Sequence, residues 1–158
     1  RFVPHAVPHY QLNTGQERYL LMPDEGGRIP MGDDAYLAAL PAHFLHSVGN
    51  FSFWDPISRI LFSGDVGASM IQSGEAYEFI EDFSQLKPRM EGFHRRYMAS
   101  KRVAKLWCDM VRRLNPEMIV PQHGLPMRGK AIADFLDWLS ELDCGIDLLG
   151  PANYRGDI

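Results

Sequence analysis

Residues 45–65, LHSVGNFSFWDPISRILFSGD, contain two short apolar segments with a histidine before the first and an aspartate after the second. Residues 50–54 alternate so that both phenylalanines fall on one face, which is typical of a β-strand. The turn-type sequence DPIS separates them from the apolar residues 60–62. The stretch therefore predicts a β-hairpin with His46 before its first strand and Asp65 after its second.

Amphipathic helices are predicted in the second half of the chain, because apolar side chains recur there at i, i+3, i+4 and i+7. Ser100, a favourable N-cap residue, and Asn115, which precedes a proline, bound the first apolar stripe. Its members are Val103, Leu106, Trp107, Met110, Val111 and Leu114, and those of the second stripe are Ile132, Phe135, Leu136, Leu139 and Leu142. Another helix is predicted to begin at Ser73, with Glu75 and Glu78 at the positive end of its dipole.

Further strands are predicted at residues 18–22, 36–40 and 118–120, which are short and apolar. Residues 23–34 and 125–130 are rich in turn residues, and we expect the first of these segments to form an exposed loop. The order is strands first, then helix, helix, strand and helix. This order predicts an α/β fold, α+β in some schemes, with helices packed over a sheet.

The composition is that of an ordinary globular chain. Its 158 residues, 46% hydrophobic and 23% charged, suit one domain with a buried core. No apolar run approaches the roughly 18 residues that a membrane span needs, so no membrane partner is predicted. The net charge of −4 argues against a nucleic-acid partner. Residues 87–113 carry nine Lys and Arg against two acids, and we interpret this basic segment as the solvated faces of helices.

Two cysteines, Cys108 and Cys144, lie far apart in the chain and form no C-x-x-C motif. We interpret both side chains as buried, reduced thiols. Reduced thiols favour a reducing compartment, and we therefore expect the protein to be cytoplasmic.

Three polar residues stand at the ends of predicted strands, where α/β proteins commonly place their functional sites. His46 precedes one strand, Asp65 ends the next, and His123 follows the strand at residues 118–120. Gly64 beside Asp65 and a glycine after His123 permit the tight turns that aim such side chains. Imidazoles with a carboxylate suit zinc, iron or manganese, and the two oxygens of a carboxylate can bridge two metals.

These residues belong to three motifs in a fixed order: H-S-x-G-N at His46, S-G-D at Asp65 and P-Q-H-G at His123. The ordered set resembles the metallo-β-lactamase fold, in which these motifs carry the later ligands of a two-metal site. The resemblance implies an αββα sandwich. Residues 41–56, PAHFLHSVGNFSFWDP, and residues 92–98, GFHRRYM, are most similar to the oxygen-binding di-iron proteins, which are relatives of the flavodiiron proteins.

The resemblance, which covers residues 36–130, implies a role for each of the three residues. His46 would bind one metal, Asp65 would bridge both metals and act as the catalytic residue, and His123 would bind the second metal. His43, Glu91 and His94 are further candidates, either as residues that support the metal ligands from behind or as residues that line the pocket. For Glu91 and His94 the alternative is an ordinary position on a helix surface.

The chain departs from the family pattern at its start, because no H-x-[HED]-x-D-H cluster occurs in it. His5 and His9 are spaced by four residues, but Pro4 and Pro8 argue against a regular helix through this pair. We therefore expect residues 1–158 to be a single incomplete domain, the later part of a metallo-β-lactamase-like domain without its N-terminal part. Neither metal would then have a full ligand set, and metal binding by this part alone would be weak.

Three functions remain open on the sequence. The first is a non-haem di-iron protein that binds dioxygen to sense or to reduce it, with two iron ions as its cofactor. The second is a two-metal zinc hydrolase, in which the metals would activate a water and the partner would be a small-molecule substrate. The third is a non-catalytic fragment that packs on a partner chain or on its own missing N-terminal half.

The di-iron hypothesis implies dioxygen as the ligand and an electron donor as a possible partner. No flavin-binding segment is legible in the chain, so an electron donor would be another domain or protein. A second copy of the chain, as a homodimer, is a further candidate partner.

Overall fold

The computed structural model of the chain describes residues 22–32, 34–72, 74 and 78–156. In these residues, six strands form one sheet in sequence order. The strands are β1 (Gly27–Pro30), β2 (Tyr36–Pro41), β3 (Phe51–Asp55), β4 (Ile60–Gly64), β5 (Met118–Pro121) and β6 (Met127–Arg128). Strands β4 and β5 pair in parallel, and the other neighbouring strands pair antiparallel.

The predicted hairpin is confirmed as β3 and β4, with Trp54 opposite Leu61 in its register. Its turn is closed by Asp55, whose carboxylate accepts hydrogen bonds from the Ile57 N–H at 2.9 Å and from the Ser58 hydroxyl at 2.6 Å. A carboxylate that binds the backbone two residues on is a common stabiliser of such turns. The strands predicted around residues 36–40 and 118–120 are also confirmed.

The described residues also form three α-helices. Helices α1 (Lys87–Tyr97) and α2 (Lys101–Leu114) lie between β4 and β5 in the chain, and α3 (Lys130–Glu141) follows β6. Short 3₁₀ helices span Phe83–Gln85, Gly145–Leu148 and Pro151–Tyr154. Helix α2 begins after Ser100 and ends before Asn115, as predicted, and Asn115 has the left-handed φ of 49° that often ends helices. Ser100 is the N-cap residue, but its side chain makes no capping hydrogen bond, and the Asp147 carboxylate accepts from the Lys101 N–H at 2.5 Å.

The helices cover one face of the sheet and form the core with it. Leu61 and Ile119 from the sheet are completely buried, and so is Phe135 from α3. Trp107 of α2 donates a hydrogen bond from Nε1 to the buried Ser52 hydroxyl at 3.1 Å, which satisfies both polar groups. This helix layer on a sheet confirms the predicted α/β class.

The opposite face of the sheet is more open. Phe53 of β3 and Phe62 of β4 are opposite one another in the register and are 39% and 42% exposed. Among the described residues, no helix packs on these two rings, since the buried side chains of both strands point the other way.

Two sequence-based interpretations are corrected by the structure. Leu106 was expected in the buried stripe of α2, but it is 62% exposed, because the helix instead buries the small side chains of Ala104 and Cys108 beside Trp107. Residues 23–34 were expected to form a loop, but they contain β1, because Gly27–Pro30 pairs with the edge of β2.

Other predictions lie outside the described residues. These are the strand at residues 18–22, apart from its last residue, the pair His5 and His9, and the helix start at Ser73 with Glu75. Met22 and Glu78, which are described, belong to neither a strand nor a helix. In the described part of the chain, none of the helices combines the length and the apolar composition that crossing a membrane requires.

The correction on α2 yields a stability prediction with a matched pair of substitutions. Leu139→Ala in α3 removes a completely buried side chain and should lower the free energy of unfolding by about 2 to 5 kcal/mol. Leu106→Ala should change it by less than about 0.5 kcal/mol, because that side chain faces solvent. Urea unfolding of both variants measures the difference, and equal losses would contradict the placement of Leu106.

Candidate metal centre

Asp65 lies between two histidines at one edge of the sheet. Its Oδ2 atom is 3.9 Å from Nε2 of His46, and its Oδ1 atom is 3.9 Å from Nε2 of His123. The side chain of Asp65 is 25% exposed, while those of His46 and His123 are 40% and 70% exposed. The structure therefore brings the three predicted ligands together, with one carboxylate oxygen directed to each imidazole.

The loop that carries His46 is held by hydrogen bonds between its two ends and by hydrogen bonds within it. The Ala42 N–H donates to the Asn50 carbonyl at 2.9 Å, and the Asn50 side-chain amide donates to the Leu45 carbonyl. The Phe44 N–H also donates to the Ser47 carbonyl at 2.8 Å. These bonds restrict the backbone on both sides of His46, so the direction of its imidazole is set locally.

Helix α1 provides a wall for the His46 ring, which the sequence did not reveal. The ring centroid of His46 is 5.2 Å from that of Tyr97 and 5.9 Å from that of Phe93. Phe93 and Tyr97 are spaced by four residues and share one face of α1. The spacing of aromatic residues in the segment GFHRRYM was the available signal, but only the tertiary contact identifies its target.

The loops of Asp65 and His123 are joined through their backbones. The Gln122 N–H donates to the Gly64 carbonyl at 2.7 Å, and the Ser69 N–H donates to the His123 carbonyl at 2.9 Å. Gly124 has φ of 130°, and a Cβ atom there would lie 2.8 Å from the Ser69 nitrogen, so this position requires glycine. The close approach of the two loops thus depends on the glycine that follows His123.

His94 of α1 lies in the core, so the alternative of a helix-surface position is wrong, while a place behind the candidate ligands stays a prediction. It is completely buried, and its Nδ1–H donates to the Met90 carbonyl at 2.8 Å while its Nε2 accepts from the Gly67 N–H at 2.9 Å. This pattern assigns the ring hydrogen to Nδ1. Burial lowers the pKa of His94 from 6.5 to about 4, although the hydrogen bond to Met90 acts against that lowering.

The other two pocket candidates, His43 and Glu91, contact residues other than the three candidate ligands. His43 Nε2 hydrogen-bonds to the Asp24 carbonyl at 2.7 Å, and its ring lies edge-on to Phe51 at 5.0 Å. It also lines an apolar cavity of about 310 Å³ beside α2. Glu91 on α1 is half-exposed and forms a 3.9 Å ion pair with Arg95 of the same helix.

The donor set fits a shared carboxylate better than a single enclosed ion. Among the described residues, no three or more His, Cys, Asp or Glu side chains converge closely enough to hold one ion. Two ligands bound at about 2.1 Å to a common metal lie about 3 to 3.4 Å apart, so each 3.9 Å pair needs only a small closure. Each of two metals would therefore have Asp65 and one imidazole from this part of the chain.

The cysteines take no part in this centre. Both are free and buried, and burial raises the pKa of the Cys108 thiol to about 12 and that of the Cys144 thiol to about 11. A thiol with so high a pKa stays protonated, whereas a metal binds the thiolate. The prediction of buried, reduced thiols is confirmed for the structure as described.

Comparison with known proteins places the chain among metallo-β-lactamase-fold proteins. A family model described as ODP family beta lactamase matches residues 1–124. The structure is similar to the peroxy diiron species of the chemotaxis sensor ODP, with 45% identity and a TM-score of 0.75, over 82% of this chain and 54% of that chain. The apo state of chemotaxis sensor ODP from T. denticola gives 46% identity, the same TM-score and the same coverages.

More distant structures share the fold alone. The flavodiiron protein from Giardia intestinalis has 16% identity and a TM-score of 0.65, over 78% of this chain and 30% of that chain. The chain spans about half the length of the ODP structures that it matches. No match was found among curated proteins.

The buried His94 yields a prediction on the pH dependence of stability. Its folded pKa of about 4 lies below 6.5, so its contribution to stability is present above pH 6.5 and is lost as the pH falls toward 4. The loss at pH 4 should be about 3 kcal/mol. Urea unfolding of the wild type and His94→Gln at pH 7 and pH 4 measures it, because the advantage of the wild type should shrink by that amount. An advantage that is the same at both pH values would contradict the assignment.

Proposed function

Because the chain belongs to the ODP family beta lactamases, we propose that it is part of a di-iron domain that binds dioxygen in order to sense it. The observation that carries the proposal is Asp65, whose two oxygens are each 3.9 Å from a different imidazole. A carboxylate in this position can be shared by two irons, while a single-metal site would direct both imidazoles to one point.

In this proposal, His46 would hold one iron, Asp65 would hold both and His123 would hold the other. Once bound, the two irons would supply reversible binding of dioxygen and exchange of electrons. The chain itself shields one edge of the His46 ring with Phe93 and Tyr97. Rings packed on a ligand limit the access of water and restrict its rotation, and both effects favour a stable centre.

Sensing is favoured over reduction by the similarity to known structures. The two ODP structures, which share 45% and 46% identity with the chain, are of a chemotaxis sensor. A zinc hydrolase has no comparable support and is kept as an outcome of the test below. The reduced thiols of Cys108 and Cys144 support the expected cytoplasmic location.

We also propose that residues 1–158 form one domain together with a further portion of protein, which covers the open face of the sheet. Phe53 and Phe62 on this face line a groove of about 320 Å³ together with Phe51 and Val120. Exposed aromatic rings at the centre of a sheet favour contact with another apolar surface. The same portion would supply the remaining ligands, since each metal has only two in the described residues.

The proposed iron centre is tested by substitution of the shared carboxylate in the full-length protein. The wild type should bind about two irons per chain and change its visible spectrum on exposure to dioxygen. Asp65→Asn should bind less than half as much iron and lose the spectral change, because the amide cannot bridge two cations. Asp134→Asn, on the surface of α3 beside Lys130, is the matched control and should behave as the wild type.

Two outcomes would overturn the proposed function. Full iron loading of Asp65→Asn would remove Asp65 from the centre. A wild type that contains zinc, hydrolyses esters, lactams or phosphodiesters and gives no response to dioxygen would favour the hydrolase.

The proposed cover of the open face predicts the effect of a polar substitution in the full-length protein. Phe62→Ser should lower the free energy of unfolding by about 2 to 4 kcal/mol if another surface buries this ring. Leu106→Ser, on the exposed side of α2, should change it by less than about 0.5 kcal/mol. A Phe62→Ser variant as stable as Leu106→Ser would mean that the sheet face stays in solvent.

A further inference from the structure

Helix α1 contacts two of the loops that carry candidate metal ligands, the loop of Asp65 and the loop of His46. On one side of the helix, the ring of His94 is directed into the core and binds the loop after Asp65 through the Gly67 N–H at 2.9 Å. On the other side, Phe93 and Tyr97 contact the ring of His46. One rigid element therefore connects two parts of the centre that are separate in the sequence.

The contact of His94 with Gly67 is specific in its chemistry. Gly67 is buried and has φ of 98°, a conformation that side chains rarely adopt, and a Cβ there would lie 3.3 Å from a methyl group of Met127. Its N–H is satisfied by Nε2 of His94, and a buried N–H without an acceptor is costly. The opposite ring nitrogen donates to the Met90 carbonyl, so the ring cannot turn without losing both bonds.

The Asp65 loop is joined to α1 at a second point, where the Met70 N–H donates to the Arg89 carbonyl at 3.3 Å. Within the loop, the Ala68 N–H donates to the Asp65 carbonyl at 3.0 Å, and the Ser63 hydroxyl donates to the Val66 carbonyl at 2.6 Å. The bonds within the loop shape the turn, whereas the shorter, buried bond from Gly67 to His94 holds the part of the turn nearest Asp65 against α1. A shift of this turn would change both 3.9 Å distances from the Asp65 carboxylate.

We propose that His94 is a positioning residue for the metal centre, which holds the turn of Asp65 at a fixed distance from the helix against which His46 packs. The inference rests on the proposed function, because it concerns the same centre. His94 touches neither a metal ligand side chain nor a substrate, and it acts through the Gly67 backbone. Burial lowers the pKa of His94 from 6.5 to about 4, so the ring is neutral and Nε2 is available as an acceptor at neutral pH.

The test compares three variants of the full-length protein, with iron affinity and the visible spectrum after dioxygen exposure as readouts. His94→Leu fills most of the space but has no acceptor for Gly67, and it should weaken iron binding by about 10-fold or more and alter the spectrum. His94→Gln keeps an amide oxygen near the position of Nε2 and should stay within about threefold of the wild type. Val111→Ala, completely buried in α2 and remote from both ligand loops, controls for general loss of stability.

Thermal unfolding of each apo variant separates positioning from stability. The inference is supported if His94→Leu binds iron more weakly than Val111→Ala at a comparable melting temperature, and if His94→Gln restores the binding. Equal affinity of His94→Leu and Val111→Ala would overturn it, with the proposed function intact. If His94→Leu does not fold, a His94→Gln variant with weakened binding and a normal melting temperature would overturn the claim that the acceptor alone is needed. A wild type without iron would instead reject the proposed function itself.

Discussion

The parallel pairing of β4 with β5 is the constraint on which the candidate centre depends. Two parallel strands end at the same edge of a sheet, so Asp65 after β4 and His123 after β5 must meet there. The pairing continues past the strands as backbone hydrogen bonds from Gln122 to Gly64 and from Ser69 to His123. These bonds use main-chain groups only, so the spacing of the two side chains does not rely on their own contacts.

The antiparallel hairpin brings the third residue to the same edge. Strand β3 begins where β4 ends, because antiparallel neighbours run in opposite directions. His46 lies in the loop before β3, which therefore opens at the edge that Asp65 occupies. The hairpin and the parallel pairing together bring His46, Asp65 and His123 to one edge of the sheet. Helix α1 packs against the loops of the first two.

Local sequence patterns were sufficient to predict most of the strands and helices. They failed at residues whose structure depends on contacts with distant parts of the chain. The alternation in residues 50–54 and the apolar stripe of α3 predicted a strand and a helix, and both are confirmed, although the strand buries Ser52 and Trp54 rather than its phenylalanines. Strand β1 was not predicted, because its glycine and its proline are typical of turns. Its extended conformation is stabilised by pairing with β2 rather than by its own sequence. The hydrogen-bond partner of His94 was not predicted, because nothing in the local sequence indicates that the N–H of Gly67, distant in the chain, needs an acceptor.

The open edge of this part of the chain leaves the three candidate ligands in contact with solvent. His46 and His123 are 40% and 70% exposed, so water can satisfy both imidazoles, and the Asp65 carboxylate keeps contact with solvent at 25% exposure. The chain therefore spends little free energy on holding these groups unpaired, and an ion bound here by two ligands would gain little. Strong binding requires further ligands that also exclude water, so in the proposed domain one association would both close the open face and complete the metal centre.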